Sequence, residues 1–182
     1  MAAAMDLASV DGLHALSIGG LASAVSMSKG GIVALFGTKE QLQLATIEAA
    51  TVVFRSTVIA PALSLKNRAR LLALVDNWIE YSRNRVFLGG CFFMAVRAEF
   101  ASEPGAVREA ITAQLDSWDG FLRRSIDHAV AAGELPIDSD SDQLVFELTA
   151  MLSAANAASL LHGGSGPYQR ARTAISRVLG AG

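Results

Sequence analysis

Cysteine occurs once in 182 residues, at Cys91, which excludes an intrachain disulfide and a cysteine-built zinc site and fits a reducing, cytoplasmic setting. Positive charge is not in excess: 15 Lys and Arg stand against 17 Asp and Glu, a net charge of −2. Electrostatics alone announce neither a nucleic acid nor an anionic membrane, so any DNA binding has to rest on a motif. Catalytic signatures are missing too. His14, His128 and His162 lack metal-ligand spacing, and no His-Glu-x-x-His, phosphate-loop or Gly-x-Ser-x-Gly pattern occurs, so no catalytic residue, metal or cofactor is expected. Asp127 and His128 are neighbours, which on a helix point about 100° apart and cannot orient one another. Met1 to Ala4 present no basic region ahead of an apolar stretch, so a secretory signal is not expected. Leu144 to Leu161 is the one candidate membrane span. Glu147 and an admixture of Ala, Ser, Thr and Asn favour a buried helix of a soluble protein instead, with no membrane partner.

What is present is apolar and helical. Hydrophobic residues make up 52% of the chain and charged ones 18%, ample material for a folded core. The spacing predicts an all-α protein of about nine helices. A first short helix ends near Asp11 and Gly12. Ser17 caps a second, with Ile18, Leu21, Ala22 and Val25 on one face; Ser26 and Met27 make a tight turn, and Ser28 caps a third, with Ile32, Leu35 and Phe36 inward. Gly37 closes that unit, and Thr38 to Gln41 offers a reciprocal capping box. The fourth helix runs through Leu42, Ala45, Ala49, Val53 and Phe54 to Pro61. A fifth follows from Lys66 to Arg85, then a dense apolar segment from Cys91 to Phe100. A long helix opens at Pro104 and Gly105 and stops at Gly133, and two more end the chain, the last from Pro167 to Val178.

Taken residue by residue, Ser17, Ser28 and Thr38 read equally well as ordinary N-caps, and Lys29 and Lys39 as solvated lysines. The order of motifs from Ser17 to Lys39 decides between the readings, because it resembles the DNA-binding domain of the tetracycline-repressor (TetR) family. The matching features are an entry Ser, an amphipathic second helix, Ser-Lys-Gly opening the recognition helix, and Phe-Gly-Thr-Lys-Glu leading into the fourth. The resemblance implies a DNA-binding domain over residues 1–50, with its first helix shortened, and a ligand-binding and dimerisation domain over 51–182. Arg85 to Phe93, Glu99-Phe100 and Pro104 to Arg108 resemble one subgroup of that second domain. It further implies DNA contacts by Ser17, Ser28, Lys29, Gly30, Gly31, Val33 and Lys39. Here Gly31 and Val33 stand where the family commonly has Thr or Ala and a phosphate-touching Tyr, and Leu35 where a His is common. Through Ala50 the head has two positive residues, Lys29 and Lys39, against Asp6, Asp11, Glu40 and Glu48, so attraction to phosphate is feeble and its salt dependence shallow.

In the remainder, aromatic residues gather within a chain only 7% aromatic. Phe54, Trp78, Tyr81, Cys91, Phe93, Met94, Trp118, Phe121 and Asn156 are the candidate lining of a pocket for a small hydrophobic effector, with Tyr81, Asn156 and the Cys91 thiol as orienting groups. A filled core is the competing reading, with Cys91 an inert buried thiol. Leu144 to Leu161 is apolar nearly all round and rich in small residues, so it must be covered on more than one side; a homodimer through the last two helices would cover it. The function expected is a ligand-responsive, DNA-binding transcriptional regulator, a repressor released from a near-palindromic operator on double-stranded DNA. The alternative is a dimeric helical small-molecule-binding protein with weak or lost DNA binding.

Overall fold

The computed structural model describes residues 1–180, and among them the regular elements are helical. They are α1 (Ala2–Asp11), α2 (Ile18–Ala24), α3 (Lys29–Phe36), α4 (Lys39–Phe54), α5 (Asn67–Arg83), α6 (Phe92–Val96), α7 (Ala106–Ala131), α8 (Ser141–His162) and α9 (Gly166–Val178). The starts of α2, α3, α4 and α8 follow from capping chemistry. Ser17, Ser28 and Thr38 each accept the backbone N–H three residues on, at 3.0, 3.0 and 3.1 Å, and Asp140 accepts those of Asp142 and Gln143. The capping box at α4 forms only by half. The Thr38 N–H is taken by the Phe36 carbonyl at 2.9 Å, and the Gln41 amide lies against Gly37 instead of returning a bond.

Contacts divide the chain into two compact units, one of Met1–Val53 with Phe87–Leu115 and one of Phe54–Val86 with everything from Asp116 onward. In the first, α2 packs on α3 and α1 on α6. Leu13, Leu16, Leu21, Ile32 and Leu42 are buried there, as are Phe87, Phe92, Phe93 and Val96. Two glycines fix this packing. A Cβ at Gly89 would lie 1.8 Å from the Ser9 carbonyl oxygen, while the Gly89 N–H donates to Ser9 Oγ at 3.0 Å. Gly12 has φ +90°, and a Cβ there would meet the Glu99 carboxylate at 2.8 Å. That carboxylate accepts the N–H groups of Leu13 and His14 at 3.0 and 2.8 Å, so Phe87–Leu115 holds the α1–α2 turn directly.

The buried face of α4 differs from the expected stripe. Leu42, Gln43, Thr46, Ile47, Ala50 and Phe54 are buried, whereas Ala45, Ala49 and Val53 are half-buried. Two polar residues reach the interior because each has a partner: Gln43 Nε2 donates to the Leu13 carbonyl at 2.8 Å and Thr46 Oγ1 to the Leu42 carbonyl at 2.7 Å. The α-helix also ends seven residues before Pro61. Arg55–Ile59 form a π turn and Ala60–Ala62 a 3₁₀ turn.

In the second unit α5, α8 and α9 pack together around a buried polar knot. Ser82 Oγ lies 2.8 Å from both Asn156 Oδ1 and the Tyr168 hydroxyl, and Arg85 reaches Ser159 Oγ at 3.0 Å. Arg172 joins α9 to α5 through Asp76 at 2.7 Å; that hydrogen bond, first among several causes, raises its pKa further. Two stretches are long and apolar enough to cross a membrane by length and composition, Ser141–His162 and, unlike the single span expected, also Lys39–Ala62.

Candidate functional site

The head presents two helices, α2 and α3, bent by 117° across a short connection in which Ser26 takes a left-handed φ of 54°. The Met27 N–H closes this turn on the Ala22 carbonyl at 2.9 Å. Ile32 anchors α3, being 2% exposed, and the opposite side of the helix is open: Ser28, Lys29, Gly30, Val33, Ala34 and Leu35 are all exposed. Leu35, expected on the inward face with Ile32 and Phe36, is 64% exposed. With eight residues in all and Gly37 ending it, α3 is too short for a second apolar turn, so Ile32 is its one fully buried residue.

The two lysines behave differently. The Lys29 stem lies over Gly19 at the start of α2, its Cε 3.2 Å and its Nζ 3.6 Å from where a Cβ of Gly19 would stand. Its ammonium therefore sits beside the first turn of α2. Lys39 Nζ instead donates to the His14 carbonyl at 2.6 Å, tying α4 to the α1–α2 turn. His14 stacks on Phe100 with centroids 4.2 Å apart, and its Nε2 lies 3.4 Å from Glu103 Oε1. These belong to a cavity of about 220 Å³ lined by polar groups that also include Gln43 and Arg108. Sequence reading missed it, since its walls come from three separate stretches.

The candidate effector residues fall into two groups. Phe54, Trp78, Tyr81, Trp118, Phe121 and Asn156 belong to the second unit, and Cys91, Phe93 and Met94 to the first. In the second unit Phe54 packs edge-on against Tyr81 and Trp118, with centroids 5.6 and 5.3 Å away. Trp118 is 4% exposed, yet its Nε1 has no hydrogen-bond partner among the described residues. Phe121 is half-buried beneath the Arg124 guanidinium. Asn156 is committed to Ser82, so its Oδ1 belongs to the knot between helices. A shallow apolar groove of about 300 Å³ runs along α8 and α9, lined by Met151, Ala154, Ala158, Pro167 and Ala174 among others. Phe146 and Leu161 on α8 are 67% and 79% exposed. Among the described residues no three His, Cys, Asp or Glu side chains come together as a metal site.

Residues 1–46 match the family model for bacterial regulatory proteins of the tetR family, and residues 68–175 the model for the tetracyclin repressor-like C-terminal domain. No curated protein matches. Among solved structures, a TetR transcriptional regulator from Chloroflexus aurantiacus is 25% identical, with 98% of this chain covering 91% of that one at a TM-score of 0.90. A protein from Saccharomonospora viridis, described as a transcriptional regulator and solved with choline, is 19% identical over 98% and 92% of the chains, TM-score 0.82. AibR, solved with isovaleryl coenzyme A and operator DNA, is 20% identical over 96% and 93%, TM-score 0.76. With two models together spanning most of its length, this chain belongs to the tetR family of bacterial regulatory proteins.

Proposed function

We propose that this protein is a cytoplasmic, homodimeric repressor that leaves a near-palindromic operator when a small hydrophobic effector binds. The exposed tip of α3, set at a 117° bend from α2, is the observation that supports this reading most. In a twofold dimer such tips enter successive major grooves about 34–36 Å apart, which dictates the palindrome. Ser17 and Ser28 open their helices toward the DNA backbone, Lys29 neutralises a phosphate beside α2, and Gly30, Gly31 and Val33, the last too short and apolar for the phosphate contact of the family's Tyr, face the bases. Lys39 positions α4 through the His14 carbonyl.

Phe54, Trp78, Tyr81, Trp118 and Phe121 are the effector-binding residues of the second unit, with Asn156 behind them accepting a hydrogen bond from Ser82. An unpaired, buried indole N–H supports this, because filling it with an acceptor on the effector recovers a penalty of about 1–3 kcal/mol. Phe54 is also the last α-helical residue before the π turn, so displacing it changes the register of the very helix that begins at Lys39. To take the population from 1:99 to 99:1, the effector has to prefer the released form by about 5.5 kcal/mol. The relatives solved with choline, and with isovaleryl coenzyme A and operator DNA, are in keeping with small-molecule control on this fold.

The acidic balance of the head favours a second reading, a dimeric small-molecule-binding protein that no longer reads DNA. Selection of bound duplexes from genomic fragments at low salt separates the two: enrichment of a palindrome supports the repressor, and failure to enrich any duplex leaves the binding protein.

A further inference from the structure

The outward face of α3 carries almost no hydrogen-bonding chemistry. Its sequence is Lys-Gly-Gly-Ile-Val-Ala-Leu-Phe, so Lys29 is the only polar side chain in the helix. Direct readout in the major groove pairs Arg or Lys with guanine, Asn or Gln with adenine, and Asp or Glu with cytosine; thymine is met through its C5-methyl by an apolar side chain. Of these partners α3 lacks Arg, Asn, Gln, Asp and Glu, and Lys29 leans over Gly19 toward the start of α2. What remains outward is Gly30, Val33, Ala34 and Leu35; of these Gly30, Val33 and Ala34 share the i, i+3, i+4 spacing of one helical face, with Val33 48% exposed. Gly30 and Gly31 add no side chain, which lets the helix backbone approach the groove floor closely. A β-branched residue left half in water gains nothing in the free protein and gains burial only against another apolar surface.

We propose that α3 reads its half-site through thymine methyl groups, with Val33 and Ala34 as the contacts that set the sequence. This rests on α3 being the helix that enters the groove. The specificity is then built from small steps, about fourfold for each methyl buried, in place of the larger discrimination of a bidentate pair. Operators are expected to place T·A pairs at the centre of each half-site and to tolerate change elsewhere.

The test uses the full chain and the duplex it enriches from a random library at low salt. Each half-site thymine is replaced in turn by deoxyuridine, which removes one methyl and leaves pairing and groove hydrogen bonds unchanged. The expected result is a loss of about fourfold in affinity at two or more positions of each half-site. At those positions 5-methylcytosine binds better than cytosine. Val33→Ala narrows the thymine–uracil difference at its own position, and because Val33 is exposed the variant keeps its helical circular dichroism and melting temperature. Equal affinity for thymine and uracil duplexes overturns methyl readout while leaving the regulator reading intact. If no duplex is enriched at all, the regulator reading fails and methyl readout falls with it.

Discussion

At the scale of single residues, the head is held by backbone groups that meet carboxylates and carbonyls far away in the chain. Glu99 accepts two N–H groups of the α1–α2 turn, at 3.0 and 2.8 Å, so Glu99→Ala leaves the Leu13 and His14 N–H groups without that partner. A loss of about 2 kcal/mol is expected, read as a lowered denaturant midpoint with unchanged slope. Gly89→Ala pushes a methyl into the Ser9 carbonyl, and overpacking of this kind costs about 1–3 kcal/mol. Neither role was legible in the sequence. Gly12 read only as a helix end, and Glu99 had no local partner, because a contact spanning 86 residues leaves no periodic trace. The N-caps were legible, since Ser17, Ser28 and Thr38 act on a donor three positions away.

Among elements, the end of α4 shows where periodicity stops being informative. Pro61 marked an end, yet the winding changes seven residues earlier, and the π turn's Val58 carbonyl accepts from Asn77 Nδ2 at 3.0 Å. Asn77→Ala is expected to lower stability by about 1 kcal/mol, seen in thermal unfolding, and to make the segment from Arg55 to Ile59 exchange its amide hydrogens faster. The order of helices was legible because α2, α3, α4 and α8 begin with a capping side chain and α9 with a proline, and most carry an apolar face. Which face of α4 goes inward was not, for Gln43 and Thr46 are buried with partners that the 3.6-residue rule does not see. Likewise Leu35 fits the inward pattern of α3, but a helix of eight residues anchored by Ile32 exposes it.

For the whole molecule, the expected homodimer makes a measurable demand. Light scattering at micromolar concentration should give twice the chain mass. Ala154→Arg, at an exposed position lining the α8–α9 groove, should shift the equilibrium toward single chains while leaving helix content unchanged. The surplus of apolar surface on α8 and its small side chains were plain in the composition of Leu144 to Leu161; the groove they form with α9 was not. The two-unit division was less legible, since Phe87–Leu115 groups with the chain's beginning through packing and not through sequence order. The placement of tryptophan follows from the same division. The chain has two, Trp78 and Trp118, both interior to the second unit, and none in the reading head. Ultraviolet emission therefore reports on one half of the molecule alone: an effector that reaches the indoles shifts the spectrum at once, whereas an operator moves it only if the signal has travelled from one half to the other.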